Sequence, residues 1–256
     1  HVSVAPVCRG CIGLMALNPV CVEVVASTPE DVASAAKGGA DRVEFCTHLP
    51  SGGLTPGRGL IVVALQEARS LGLGMRVLVR PREGDFVYTQ KEKRAMLLEA
   101  EDLLGLGVDR VVTGGLTPQG TIDVAFLTAF ERQIGIQHLV FHRAVDEADA
   151  GAQAIQTLLD CGVRTALTSG GKAKAHEGLA QIQAMVQQGL DVVAGAGVKP
   201  AHVEALIRCG VEGIHASCRR TEKGRSHQGL FDPQRSQVEA KEVEALVQSV
   251  RKVERP

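Results

Sequence analysis

The stretch Gly39–Pro56, GADRVEFCTHLPSGGLTP, carries the grammar of the whole chain. Its apolar run Arg42–Cys46 holds an acid, Glu44, and a thiol, Cys46, and then enters a loop rich in proline and glycine. An α/β chain uses that order to present polar groups at the C-terminal end of a parallel strand.

The same cadence recurs on both sides of this stretch. Apolar runs read as strands at Cys21–Ala26, Arg42–Cys46, Arg76–Arg80, Arg110–Thr113, His138–His142, Thr165–Thr168, Asp191–Ala194 and Gly213–Ala216. Amphipathic, helix-length segments alternate with them at Pro29–Lys37, Leu60–Ser70, Lys91–Gly105, Asp123–Gln133, Gly151–Cys161, Glu177–Gln188, Pro200–Arg208 and Val238–Val250. Thr28 before Pro29 is a helix-start signal, and Lys199-Pro200 opens the seventh helix in a similar way. Several helices hand over to the next strand through one punctuation: Gly39-Ala40-Asp41-Arg42, Gly107-Val108-Asp109-Arg110, Gly162-Val163-Arg164 and Gly210-Val211-Glu212. Glycine supplies the C-cap turn there.

Eight strand-helix units close best as a single α/β domain, a (β/α)8 TIM-type barrel, which leaves no exposed sheet edge. A doubly wound open sheet is the alternative, but it normally uses fewer strands, and Ser27-Thr28-Pro29 lacks the GxGxxG fingerprint. The barrel with its C-terminal helix is expected over residues 20–256, after an N-terminal extension, 1–19. Met15 directly precedes the first strand, so residues 1–14 read as vector-derived or as a processed extension.

Composition narrows the function classes. The 256 residues are 45% hydrophobic, enough for one large core, but only 3% aromatic, so aliphatic side chains must fill it. A formal net charge of -1 lacks the basic footprint of a nucleic-acid binder, and Arg251, Lys252 and Arg255 read as a solvated terminus. The apolar run Cys11–Leu17 is too short to span a membrane and ends without a signal-peptidase pattern. Seven scattered cysteines in so long a chain imply reduced thiols and a cytoplasmic protein, and Cys8 and Cys11 form a lone CxxC with no second pair.

In a barrel, the ends of distant strands share one mouth. Glu23 and Glu44 interrupt apolar strands, where an unpaired carboxylate is costly to bury. Arg80 and Arg143 are their expected partners, and His142 and His215 stand at the ends of the fifth and eighth strands. Two acids, several arginines and two histidines suit an anionic or hydroxylated ligand and the movement of a proton. The bland alternative is a salt-bridge lid. Thr168-Ser169-Gly170-Gly171 and Gly195-Ala196-Gly197 follow the late strands, where glycine loops aim backbone donors at an anion; the anion is expected between them, with Arg80 or Arg143 opposite. In that arrangement Glu23 and His142 handle the proton and His215 orients it or acts in their place. Cys46 and Cys218 are the thiols nearest the mouth, and thiolates suit Cu(I).

Taken together, the chain resembles the CutC family of copper homeostasis proteins. The motifs are VEVVAS at 22–27, GGADRVEFC at 38–46, GGLTPGRG at 52–59, VRPREGDFVY at 79–88, FHRAVD at 141–146, LTSGG at 167–171, AGAGV at 194–198 and IHAS at 214–217. The resemblance implies a TIM-type barrel, a cytoplasmic dimer or higher homo-oligomer, and a link to copper tolerance with Cu(I) as the candidate cofactor. It extends the ligand-binding set of Glu44, Arg80, Arg143, Thr168 and Ser169 to Arg82, Asp85 and Asp146, and it marks Cys46 as the family cysteine. The chain departs from the family pattern at Glu83-Gly84, at Val145, and at Val25, where a cysteine is common. Cys218 stands where alanine is common, so it is no general family ligand. Three functional readings remain open: a small-molecule site, with or without catalysis; a copper-buffering protein without catalysis; and a scaffold with a salt-bridge lid.

Overall fold

Each expected apolar run forms a parallel strand, and each amphipathic segment covers it from outside. The computed structural model describes residues 20–149, 151–223 and 234–253. Cys8, Cys11, Met15 and the rest of the expected extension lie outside the described residues, as does Arg255.

The chain runs β1 (Cys21–Ala26), α1 (Pro29–Lys37), β2 (Arg42–Phe45), α2 (Arg58–Ser70), β3 (Gly74–Leu78), α3 (Gln90–Gly105), β4 (Arg110–Thr113) and α4 (Val124–Gln133). It continues through β5 (Leu139–Phe141), α5 (Gly151–Asp160), β6 (Thr165–Thr168), α6 (Leu179–Gln187), β7 (Asp191–Ala194), α7 (Val203–Arg208) and β8 (Gly213–Ala216). Strands β1 to β8 form a closed barrel in sequence order. β8 pairs parallel with β1, setting His215 opposite Glu23 and closing the ring.

Local signals place the elements. Thr28 Oγ1 accepts from the Asp31 amide at the start of α1, and Asp123 caps α4 through the Phe126 amide. At α3, Thr89 and Glu92 form a reciprocal capping box. The handover glycines Gly39, Gly107, Gly162 and Gly210 all take positive φ, the conformation that their turn requires.

Alternation along each strand separates two apolar regions. Val22, Val24 and Ala26 join the large core beneath the helices with Phe45, Phe130 and Phe141. Val25, Cys46, Leu78, Val112 and Val140 form a separate small cluster. Successive strand side chains face opposite ways, so Glu23 shares the face of Val25 rather than that of the outer core.

Several details differ from the sequence reading. β3 ends at Leu78 and β5 at Phe141, so Arg80 and His142 lie just beyond their strands. A hairpin, β9 (Arg219–Lys223) with β10 (Gln234–Val238), stands between β8 and the last helix. Its sequences, RRTEK and QRSQV, carry no apolar alternation and gave no strand signal. The last helix, α8 (Ala240–Arg251), therefore begins after Val238, whose amide donates to buried Asp31. Arg251 is no free tail: it donates to the Val20 carbonyl and to Asp41, tying α8 to the base of β1.

Candidate functional site

The parallel register builds a belt of charge across the barrel. Glu23 lies level with Arg42 on one side and His215 on the other, while Arg76 lies opposite Glu44. The Glu23 carboxylate, 1% exposed, receives Arg42 Nε at 2.5 Å and Arg76 NH1 at 3.2 Å on Oε2. Its Oε1 meets His215 Nδ1 at 2.8 Å. Burial opposes the charged carboxylate, but the His215 hydrogen bond and the two guanidiniums outweigh it and hold the acid well below its usual range. Burial likewise opposes charge on His215, and Glu23 with Glu44 overcomes it, raising that imidazole's pKa.

This corrects the expected pairing. Glu23 is matched by Arg42 and Arg76, not by Arg80 or Arg143. Both arginines stand near the starts of their strands, and only the barrel register carries them under the acid.

Above the belt opens a cavity of about 690 Å³, with Glu44, Arg80, His142, Arg143, His215 and Arg219 in its wall. Glu44 is buried, and its Oε2 has no hydrogen-bond partner. Burial, with a further push from Glu23 and against the pull of His215, raises this carboxyl to about 7. His142 Nδ1 accepts from the Ala144 amide at 3.2 Å, so the neutral ring carries its proton on Nε2. That Nε2 is buried without a partner. Burial, then the charge of Arg80, lowers the imidazole to about 3, keeping it neutral. Phe86 packs against the ring at 4.8 Å between centroids. Gly114 permits its seat, since a Cβ there would come within 3.0 Å of His142 Nδ1.

The other expected ligand residues divide between wall and scaffold. Arg80 donates to the carbonyls of Ser51, Gly53 and Gly84, joining the loops after β2 and β3; its buried Nε alone is unpartnered. Arg82 clasps Glu92, Asp85 and the Val87 carbonyl, and neither Arg82 nor Asp85 lines the cavity.

The glycine loop after β6 does bind an anion, but that anion belongs to the chain. The Asp146 carboxylate accepts from the amides of Ser169 and Gly171 and from the hydroxyls of Thr168 and Ser169. Arg143 Nε completes the cradle at 2.9 Å on Asp146 and its NH2 reaches Ser169 Oγ. Gly170 donates to Thr168 Oγ1, closing the turn. The Gly195 amide donates to the Thr168 carbonyl, and a Cβ on Gly195 would lie 3.1 Å from His215 Cδ2. Gly197, at φ 62, lines the cavity. The amides of Ser169 and Gly171, expected to meet an external anion, are thus taken by Asp146, while Arg143, which binds Asp146, also lines the cavity. Asp146 follows β5 by five residues in sequence, too far for sequence alone to aim it at a loop after β6.

The thiols differ in place. Cys46 lines the cavity and belongs to the small interior cluster, whereas Cys218 is not in the cavity wall and packs against the core beneath the helices. Burial, then the charge of Glu44, pushes the Cys46 thiol far up, and burial raises Cys218 to about 11. Both thiols are thus held protonated at neutral pH in the metal-free protein. Glu23, Glu44 and His215 each offer a donor atom within 4.8 Å of the others, a spacing able to chelate a metal ion. Oxygen and imidazole donors do not select Cu(I). Among the described residues, no helix is long and apolar enough to cross a membrane.

A closed parallel barrel with polar groups gathered at the C-terminal ends of its strands defines the (β/α)8 class, whose ligand sites lie at that mouth. Within the class, the chain belongs to the CutC family, which it matches over residues 20–220. It is 38% identical over 202 residues to the family protein CutC of Xanthomonas campestris pv. campestris, covering 77% of this chain and 83% of that protein. With the CutC protein of Agrobacterium fabrum it shares 34% over 220 residues, 84% of this chain and 83% of the relative. The crystal structure of the putative copper homeostasis protein CutC from Streptococcus agalactiae superposes with a TM-score of 0.72 at 28% identity, covering 77% of this chain and 98% of that one. Phosphoribosyl anthranilate isomerase from Thermus thermophilus, at 15% identity and a TM-score of 0.56 over 91% of this chain and 98% of its own, shares the fold alone.

Proposed function

We propose that the cavity binds a small anionic or hydroxylated molecule and moves a proton at Glu44. The observation that carries this reading is Glu44 itself, a buried carboxyl of the cavity wall within 4.8 Å of His215 and poised by its surroundings to gain or lose a proton near neutral pH. Glu23 then acts as a positioning residue: it fixes His215 through Nδ1 and does not itself face the cavity. Arg143 supplies the charge for an anionic group, already oriented by Asp146 and Ser169. A cytoplasmic, homo-oligomeric protein, as the family resemblance implies, is part of the same proposal.

Copper handling is the competing reading that the family carries. Val25 at the common cysteine position, the raised thiol pKa values and the separation of Cys46 from Cys218 weigh against a Cu(I) centre in this chain. A metabolite screen by thermal shift, with metal analysis on the same sample, tests both. Stabilisation by small anions in the native protein, lost in Arg143→Ala, is expected. Stoichiometric copper that disappears in the Cys46→Ser, Cys218→Ser double variant would overturn the reading.

A further inference from the structure

The loops after β6, β7 and β8 carry similar donors but differ in what those donors hold. After β6, the amides of Ser169 and Gly171, two hydroxyls and Arg143 are all spent on the Asp146 carboxylate. After β7 and β8 the donors are unspent. Among the described residues, the amides of Ala196, Gly197 and Ser217 and the Ser217 hydroxyl have no hydrogen-bond partner. All three residues line the cavity, and Gly197 and Ser217 are exposed there. Backbone conformation also sets these loops apart. Ala196, at φ 83, and Cys218, at φ 45, are two of the three non-glycine residues with positive φ among the described residues. Left-handed backbone is strained at a residue with a Cβ, and such strain gathers at ligand clamps.

Positive charge stands beside the first of these loops. The Lys174 stem lies against Gly197, where a Cβ would come within 3.2 Å of its Cγ, and the Lys174 ammonium has no ion pair among the described residues. Burial, then the charges of His176, Lys174 and Lys199, lowers the pKa of His202, so these cations form one cluster. Among the described residues, the cluster's one ion pair is His176 with Glu177, at 4.0 Å.

We infer that the loops after β7 and β8 hold the phosphate group of a small phosphate ester, the rest of which lies over the cavity. This rests on the anion-binding reading above and names the subsite and the class of anion. A terminal phosphate presents three acceptor oxygens and close to two negative charges, so it takes donors from several directions at once. The amides of Ala196 and Gly197 from one loop, the amide and hydroxyl of Ser217 from the other, and Lys174 as a point charge on a flexible stem meet that demand. A carboxylate, with one charge and two oxygens in one plane, would leave part of this set unused. Barrels of this class frequently bind phosphate at the loops after their seventh and eighth strands.

The test is amide NMR on the full chain, titrated with glycerol phosphate, with inorganic phosphate and with the carboxylate glycerate. Glycerol phosphate is expected to shift the amides of Ala196, Gly197 and Ser217, and to bind more tightly than glycerate. Ser217→Asp sets a like charge at the subsite and should weaken glycerol phosphate at least about 10-fold, and Lys174→Gln should weaken it less. Both residues are exposed, so both variants should keep the native spectrum. Affinity unchanged in Ser217→Asp removes the β8 loop from the site. Shifts confined to Ser169 and Gly171, or to another face, overturn the subsite while the cavity remains an anion site. Inorganic phosphate bound as tightly as the ester overturns the part of the ligand placed over the cavity. Glycerate, or only non-phosphate anions of the wider screen, bound in place of the phosphates overturns the phosphate class alone. If no anion of that screen binds, the anion-binding reading falls and this inference falls with it.

Discussion

Two carboxylates on neighbouring strands of one barrel live in opposite conditions. Glu23 sits in the charged belt with both oxygens matched, by Arg42, Arg76 and His215. Glu44 lies level with Val25, two residues further toward the mouth, and its Oε2 has no partner. The same residue type is fully paired in one place and left with an unpartnered oxygen in the other. Pairing decides which: donors on both oxygens stabilise the ionised form of Glu23, whereas burial with few donors makes ionisation of Glu44 costly.

The largest effect should come from breaking the anchor. Glu23→Ala leaves Arg76 and His215 buried without their counter-charge, and a buried pair broken from one side costs about 3–5 kcal/mol. Urea unfolding measures it; a loss below about 1 kcal/mol would mean that the belt is not the anchor.

Glu44→Gln should act in the other direction. Glu44 has its ordinary value of 4.5 raised to about 7 in the folded protein, so between these values the native state holds a proton that the unfolded chain has released. Stability from this group is thus full below 4.5 and falls as pH rises to about 7. At pH 8 the glutamine variant should be more stable than native protein by up to about 3 kcal/mol, and near pH 4 this gain should vanish. Equal unfolding midpoints at both pH values would show that Glu44 is stabilised by a partner after all.

The smallest effect separates the internal anion from the ligand site. Asp146→Ala empties the cradle of Ser169 and Gly171 amides and should cost about 2 kcal/mol, the scale of charged hydrogen bonds. Added phosphate should restore part of that stability, since backbone donors in a glycine turn accept an external anion. Unfolding curves with and without phosphate check this; no restoration would mean that the loop collapses when Asp146 is gone.

Much of this architecture is legible along the chain. The alternation of apolar runs and amphipathic segments determined the closed barrel, and the punctuation glycines marked the turns at its base, because strand and helix periods and positive-φ turns are local properties. The polar exceptions Glu44, His142 and His215 were visible as misplaced charges in apolar runs and do reach one cavity. The resemblance to the CutC family rests on the same short motifs.

What sequence could not show is which charge meets which. The pairing of Glu23 with Arg42 and Arg76 depends on strand register, and the β9–β10 hairpin on backbone pairing and on Arg219, whose guanidinium reaches Asp31 across 188 positions. Asp146 fills its own anion cradle because the turn after β5 lies against the loop after β6, a contact between neighbouring strands rather than neighbouring residues. Local sequence fixes backbone periodicity and therefore the fold; the state of each buried ionisable group is set by through-space partners, and only the closed barrel decides who those are.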